Sequence, residues 1–455
     1  MGRLTSDLAH FVSSLRFQSL PRDSMVAVAN ALSDYAAVTV LGADEPATRI
    51  VAGFEATGDG AARLFFSTTR AQPRSAALVN GTAGHAHDYD DIGIAYHPAH
   101  PSVAIAPAIF AQAESMGASG QDVILAYVAA YETWSELASR DAHPHHQRGF
   151  HPTGAFGAVA AAAGVARLLG LNETQCARAL AIAASQAAGL VANFGTMTKP
   201  FHAGRAASAG YMSAHYALAG MTASPHAFEH REGFLRAFSP CGEVDLERPS
   251  HFGKHWDIID RGVGIKLYPM CYGTHRILHT LTRYSRDRQL KPDDIAHVVF
   301  RTAPSRVIPL VHTNPRNALD AKFSAEFAVA VAVMSGQSTL GELTDEYVNR
   351  ADVRNLMGKV SRDLDPALET DFTREPDDRL IISTRDGGTI DLPLASPDDK
   401  ALTLDREILW TKFLDCTKQR MGARQAEALF EALQALETVE DISSLPEYEF
   451  KGALH

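Results

Sequence analysis

Cysteine is scarce in this chain. The four present in 455 residues, Cys176, Cys241, Cys271 and Cys416, lie far apart and never as Cys-x-x-Cys. That spacing offers no disulfide framework and excludes the ligand patterns of zinc ribbons and iron–sulfur proteins. Surplus positive charge is also missing: 42 Lys and Arg against 53 Asp and Glu leave a net charge of −11. A general binder of nucleic acid or of an anionic membrane needs a basic field, so neither partner is expected. No apolar run reaches the length of a membrane span; the longest, Gly154 to Ala166, is rich in Ala and Gly and is closed by Arg167. Arg3 and Asp7 are followed by no apolar core of signal-peptide type, and a cytoplasmic location is the expectation. Internal repeats and low-complexity linkers are not evident.

What is present fits a globular protein of more than one domain, with 46% hydrophobic and 21% charged residues. Thr5 or Ser6 can cap a first helix, and Pro21 opens a second, residues 22–41, with an apolar stripe from Met25 to Val38. Residues 74–87, 103–116 and 121–139 are helical by periodicity. Residues 153–195 are dominated by Ala and Gly, suggesting two central helices in close backbone contact, with Asn172 capping the one that runs from Cys176 to Leu190. Residues 205–220 repeat the pattern, and no strand is expected before about residue 260. After Val263 the character changes. Residues 295–302 alternate as a strand, 380–384 and 389–394 flank Asp386-Gly387-Gly388 as a hairpin, and 325–334 and 340–349 read as helices. From about Asp398 the chain is helical again. The fold class expected is mainly α: a large all-helical domain from residues 1–262 and 398–455, plus a smaller α+β domain, 263–397.

Chemistry concentrates in four segments. Residues 80–105 hold His85, His87, Asp88, Asp90, Asp91, His97 and His100. Such groups are costly to bury unpaired, and carboxylates that raise imidazole pKa values would give this segment an acid and a base near pH 7. Pro98 and Pro101 stiffen the turn that carries His97 and His100. His151 precedes Pro152-Thr153-Gly154 at the mouth of the Ala-rich helix, where a helix N-terminus favours anions. Lys199, His202 and Arg205 recur at three-residue intervals, concentrating cations in an acidic protein. Lys266, Tyr268 and His275 follow at the proposed domain junction, a place that ligand sites favour. Each segment taken singly reads equally as solvated surface, a capping loop or a connecting turn.

Taken together and in order, these segments resemble the MmgE/PrpD family over essentially the whole chain. The carrying residues are Asn80-Gly81, Asp88-Tyr89-Asp90-Asp91, His97-Pro98-Ala99-His100-Pro101-Ser102, Phe150-His151-Pro152-Thr153, Gly195 to Arg205 with Lys199, and Lys266-Leu267-Tyr268-Pro269 through His275. The family includes 2-methylcitrate dehydratases, cis-aconitate decarboxylases and an iminodisuccinate epimerase. The resemblance implies a large all-helical domain from both ends of the chain with a smaller α+β lid domain, a homodimer, a small-molecule carboxylate substrate and no metal or organic cofactor. It places active-site residues on Asp88, His100, His151, Lys199 and His275. Phe327 stands where the decarboxylases carry a tyrosine.

Family reactions share the making or quenching of a carbanion α to a carboxylate, which needs a base, an acid and fixed positive charge. His100, His151 and His275 are expected to divide the proton transfers, and Lys199 to bind a carboxylate or protonate the carbanion. Asp88 would orient an imidazole, while His97, Arg205, Lys266 and Tyr268 would bind substrate. Dehydration of a hydroxy-polycarboxylate is the first expectation, with epimerisation or decarboxylation second. Two other classes compete. His85, His87, Asp88 and Asp91 are similar to the ligand set of HD-type metal-dependent hydrolases, and a binding protein could keep the fold without the chemistry.

Overall fold

The computed structural model describes residues 3–56, 59–93, 97–369 and 376–452. Residues 94–96 of the His/Asp segment therefore lie outside the described residues. The chain is mainly helical and forms two units, Met1–Ile265 with Lys400–His455, and Lys266–Asp399.

The first unit opens with helices α1 (Leu4–Ser14), α2 (Arg22–Leu41) and α3 (Pro46–Glu55), followed by α4 (Pro73–His85), α5 (Ser102–Met116) and α6 (Gly120–Ala138). The Ala-rich region supplies α7 (Pro152–Leu168), α8 (Glu173–Ala184) and α9 (Thr198–Leu218). Asn172 caps α8 in a capping box with Gln175, and Ser119 does the same for α6 with Asp122. The expected cap at Thr5 or Ser6 is not used. The first helix begins at Leu4, and Thr5 is buried inside it, its hydroxyl 2.5 Å from Glu229 Oε2. The helix expected to run to Leu190 stops at Ala184. Gly189 beyond it has φ +126°, and a Cβ there would sit 3.3 Å from both His151 and His202. Glycine takes that backbone conformation without strain and leaves both imidazoles their space. Two-residue ladders also occur before residue 265, pairing Ala62–Arg63 with Arg70–Ala71 and Ile92–Gly93 with Val263–Gly264, where no strand was expected.

Residues 22–44 do reach the length and hydropathy of a membrane span, contrary to the expectation that no run would. Their most apolar window is 83% buried within the protein, and Asp34 sits in the middle of it, as suits a core helix.

Small residues set the centre of this unit. A Cβ on Gly204 of α9 would lie 2.1 Å from the Leu78 carbonyl of α4, and one on Gly81 of α4 would lie 2.7 Å from the Gly204 Cα. Gly210 is held as tightly against Ala158 and Ala161 of α7, and Gly157 against Ala104 of α5. Helix backbones that meet this closely gain dispersion contact along their length and leave no room to slide. The packing brings α9 against α4, α5 and α7, and α5 against α4 and α7.

The second unit contains α10 (His275–Arg288), β1 (Ile295–Thr302), α11 (Ala325–Ser335), β2 (Val360–Leu364), β3 (Arg379–Thr384) and β4 (Thr389–Pro393). The sheet order is β2-β1-β3-β4, with β2 parallel to β1 and the other neighbours antiparallel. Ile295, Val298, Phe300, Leu380 and Ile382 form the core with residues of α10 and α11. β2 was not expected, because Val-Ser-Arg-Asp-Leu on an edge has no buried alternation to announce it. The helix expected over 340–349 is broken into a 3₁₀ turn and a single turn, Asp345–Val348, capped by Thr344. The chain returns to the first unit with α12 (Arg406–Thr417) and α13 (Ala423–Gln434).

The crossing of α4 and α9 gives a direct test. Gly204→Ala must push a methyl into the Leu78 carbonyl and should destabilise the protein by about 1–3 kcal/mol, read by denaturant unfolding. Unchanged stability would show that the two backbones are not in contact.

Candidate active site

Helix packing gathers one helix C-terminus and three N-termini. His85 ends α4, Pro101 precedes α5, His151 precedes α7, and Lys199 lies in the first turn of α9. N-terminal ends carry partial positive charge and free N–H groups, so three of them near one another favour an anion.

Within this cluster the Lys199 ammonium is hydrogen-bonded to Asp88 Oδ1. Asp88 holds the left-handed conformation, φ +54°, directly after the α4 C-terminus, a backbone strain that turns its carboxylate toward α9. His100 Nε2 lies 3.6 Å from the same oxygen. On its other side, His100 Nδ1 is 3.0 Å from Asp90 Oδ2 and 2.9 Å from the Asp91 carbonyl. Both are acceptors, so Nδ1 carries the proton and, in the neutral ring, Nε2 keeps the lone pair. Asp90 also accepts from His85 Nδ1 at 2.9 and 3.0 Å, so one carboxylate orients two imidazoles. The His85 ring packs 4.4 Å from that of His100 and 5.7 Å from that of His151. His151 Nδ1 is 3.1 Å from His202 Nδ1, and Phe194 stands edge-on to His151 with the Lys199 ammonium 5.3 Å from its ring.

The support for this arrangement comes from further away. Asp91 accepts from the Ser102 N–H and hydroxyl at the start of α5, pinning the end of the loop. Lys412 of α12 reaches in to Asp34 at 2.5 Å, to the Tyr89 carbonyl at 2.7 Å and over the Tyr89 ring at 4.1 Å. Lys412 had no local signal in the sequence, because its partners lie more than 300 positions away in the chain. His85 was visible only as a candidate metal ligand, and Asp90 and His202 as members of motifs without a role.

Of the residues expected at a site, Asp88, His100, His151 and Lys199 are brought together. His97 is not with them. It bonds the Ala138 carbonyl at 2.9 Å and packs against His145 and Phe156, in a separate group of rings. Arg205 is exposed, on the rim of a cleft of ≈ 290 Å³ that opens on His202, Phe201 and Leu190. Lys266, Tyr268 and His275 belong to the second unit. There Lys266 is buried, His275 Nε2 is 3.2 Å from the Met270 carbonyl, and the Tyr268 ring stands edge-on 5.2 Å from His275. Phe327 is fully buried in that unit's core.

The ligand set of an HD-type hydrolase is dispersed. His87 turns to Glu45 at 3.1 Å and Asp91 is committed to α5. His85, Asp88, Asp90 and His100 each offer an atom within 4.8 Å of the others and could hold an ion by ligand type. An ammonium bonded to Asp88 occupies that field with a positive charge of its own, which a second cation would have to displace.

Burial, more than the neighbouring carboxylates, sets the imidazoles, which corrects the expected upward shift. His85 is pushed down to about 3 by burial, against the pull of Asp90. His97 and His146 are likewise pushed down to about 3, His202 to about 4, and His151 well below the usual range by burial and the surrounding cations. Burial opposes ionisation of Asp90, yet His85 and His100 together hold it well below the usual carboxylate range. Asp91 and Glu132 are raised by burial, Glu132 to about 8.

These shifts fix a sign. In the unfolded chain each histidine takes up a proton below about 6.5, whereas the folded protein keeps these five neutral down to their lowered values. The unfolded state then binds more protons, so their contribution is lost as pH falls from about 6.5 towards 4. Asp91 and Glu132 act oppositely above about 4 but are outnumbered. The melting temperature should fall from pH 7 to pH 5, with net proton uptake on unfolding; a flat or rising profile would contradict the neutral cluster.

The MmgE/PrpD N-terminal domain matches residues 6–247 and the MmgE/PrpD C-terminal domain matches residues 268–438. The chain is 29% identical to the cis-aconitate decarboxylase of Mus musculus over 83% of its own length and 78% of that protein. It is 29% identical to that of Homo sapiens over 83% and 79%. It is 24% identical to that of Aspergillus terreus over 98% and 95%. With both family domains matched across most of its length, this chain belongs to the MmgE/PrpD family of enzymes.

Proposed function

We propose that the protein is a cofactor-independent lyase acting on a small di- or tricarboxylate at the carbon α to a carboxylate. The observation that carries this reading is the Lys199 ammonium on Asp88 beside a His100 whose Nδ1 is committed to acceptors. That pairing sets a proton donor next to an imidazole lone pair in a water-poor place. Three helix N-termini supply fixed positive potential for a substrate carboxylate, and their charge counts for more as electron density builds on that carboxylate in the transition state.

Decarboxylation is the first reaction on this reading, because the relatives named above are cis-aconitate decarboxylases. A C–C bond to a carboxylate breaks, CO₂ leaves, and the remaining electron pair, conjugated with a neighbouring carboxylate, is quenched by a proton from Lys199. Dehydration is the second reading, favoured by Phe327, which has no hydroxyl where the resemblance puts a tyrosine. There the His100 lone pair takes the α-proton and an acid protonates the departing hydroxyl. In both, Asp88 holds Lys199 and Asp90 holds the His100 ring as positioning residues, and His151 shares the proton transfers. For Lys266, Tyr268, Arg205 and His275 the proposed roles in substrate binding and proton transfer rest on the family resemblance alone.

Incubation with cis-aconitate and with 2-methylcitrate, followed by NMR, tests the reading: CO₂ loss from the first supports decarboxylation, and loss of water from the second supports dehydration. His100→Ala should lower turnover about 10²–10⁴-fold with the fold intact. Near-normal turnover in that variant would remove His100 from the chemistry.

A further inference from the structure

A second cluster of metal-ligand type lies in the first unit, on the loop between α9 and the end of the unit's N-terminal part. It comprises His251, His255 and Asp257, in a His-x₃-His-x-Asp spacing. Asp257 is 1% exposed, whereas both histidines are partly exposed. Each imidazole turns Nε2 to the Asp257 carboxylate, His251 at 3.5 Å from Oδ2 and His255 at 3.6 Å from Oδ1.

Those separations are too long for good N–H···O hydrogen bonds. They match the distance between two ligands of one tetrahedral ion, since bonds of ~2.1 Å set ligand atoms about 3.4 Å apart. The contrast with the candidate active site is direct: there His85 and His100 approach Asp90 at hydrogen-bonding distance. Asp257 Oδ2 accepts the Ser135 hydroxyl at 2.8 Å, while Oδ1, also buried, has no hydrogen bond. Arg261 Nε is 3.7 Å from Oδ1 on a side chain about one-third exposed, so it can yield to an ion.

The opposite ring nitrogens have carboxylates behind them, the usual way in which a ligating histidine is oriented. His255 Nδ1 is 2.9 Å from Asp260 Oδ2, and His251 Nδ1 is 3.6 Å from Glu136 Oε2, itself buried without a hydrogen bond. Arg248 Nη1 also lies 3.3 Å from His251 Nδ1, and ligation requires that guanidinium to settle on Glu136, 3.4 Å from its other nitrogen.

We propose that His251, His255 and Asp257 form a Zn²⁺ site with water as the fourth ligand. Two imidazoles and a carboxylate suit zinc better than the hard, oxygen-preferring Mg²⁺ or Ca²⁺. The ion staples its loop onto α6, where Glu132 already accepts the Asp257 and Ile258 N–H groups and Ser135 holds the carboxylate. The site is structural and separate from the proposed chemistry.

The full-length protein, stripped with EDTA and dialysed, is titrated with Zn²⁺ by calorimetry and with Co²⁺ by visible absorption. Wild type should take up one Zn²⁺ per chain at micromolar or lower concentration, give the intense four-coordinate Co²⁺ spectrum, and melt higher with Zn²⁺. The variant His251→Ala/His255→Ala should lose all three responses while melting as wild type does in EDTA. Asp260→Asn, an exposed change that leaves every ligand in place, should weaken uptake about 10–100-fold. No uptake by wild type, or equal uptake by the double variant with the ion held elsewhere, overturns the site.

Discussion

A buried ammonium cannot stand without its counter-ion, and the rest of the first unit is arranged around that constraint. Lys199 and Asp88 are each less than a tenth exposed and meet between α9 and the end of α4. Taking two charges from water costs several kcal/mol for each, and removing either partner of such a pair typically costs about 3–5 kcal/mol. The pair is therefore a poor device for stability alone. Its surroundings point to a different use: His85 and His151 held neutral by burial, a carboxylate that orients the rings of His85 and His100, and three helix N-termini that favour another anion.

Position is supplied by side chains that are hardly there. The Gly81 and Gly204 crossing lets α4 and α9 touch backbone to backbone, and the contacts of Gly157 and Gly210 continue the same packing through α5 and α7. A core built this way has little slack to take up by rotamer changes, so it holds the helices that carry the cluster firmly against one another. The Tyr89–Asp91 stretch of the His/Asp segment is then held from two sides, by Asp91 to the first turn of α5 and through Tyr89 to Lys412 of α12. Rigid elements with a pinned loop are what proton transfer at a defined distance requires.

Much of this was legible in the sequence, for identifiable reasons. Long periodic helices such as α2, the Asn172 cap, and the hairpin around Asp386-Gly387-Gly388 are local, and local signals survive in a single sequence. So did the grouping of Asp88, His100, His151 and Lys199, because four ordered motifs carried the family resemblance. What did not read out was non-local. The edge strand β2 owes its existence to β1, and Lys412 owes its role to Asp34 and Tyr89. Nor did the left-handed turn at Gly189 beyond α8 read out, where His151 and His202 leave little room for a side chain. The direction of the histidine shifts was misjudged because neighbouring carboxylates are visible in a sequence and burial is not.

The account stands or falls on proton chemistry at an α-carbon without a catalytic metal. The most direct measurement is NMR of EDTA-treated, dialysed protein in D₂O with a panel of di- and tricarboxylates. The account predicts deuterium entering the carbon α to a carboxylate in substrate or product, with full rate before any metal is returned. Silence across the panel, with turnover only of a phosphoester after Mg²⁺ or Mn²⁺ is added, would contradict it.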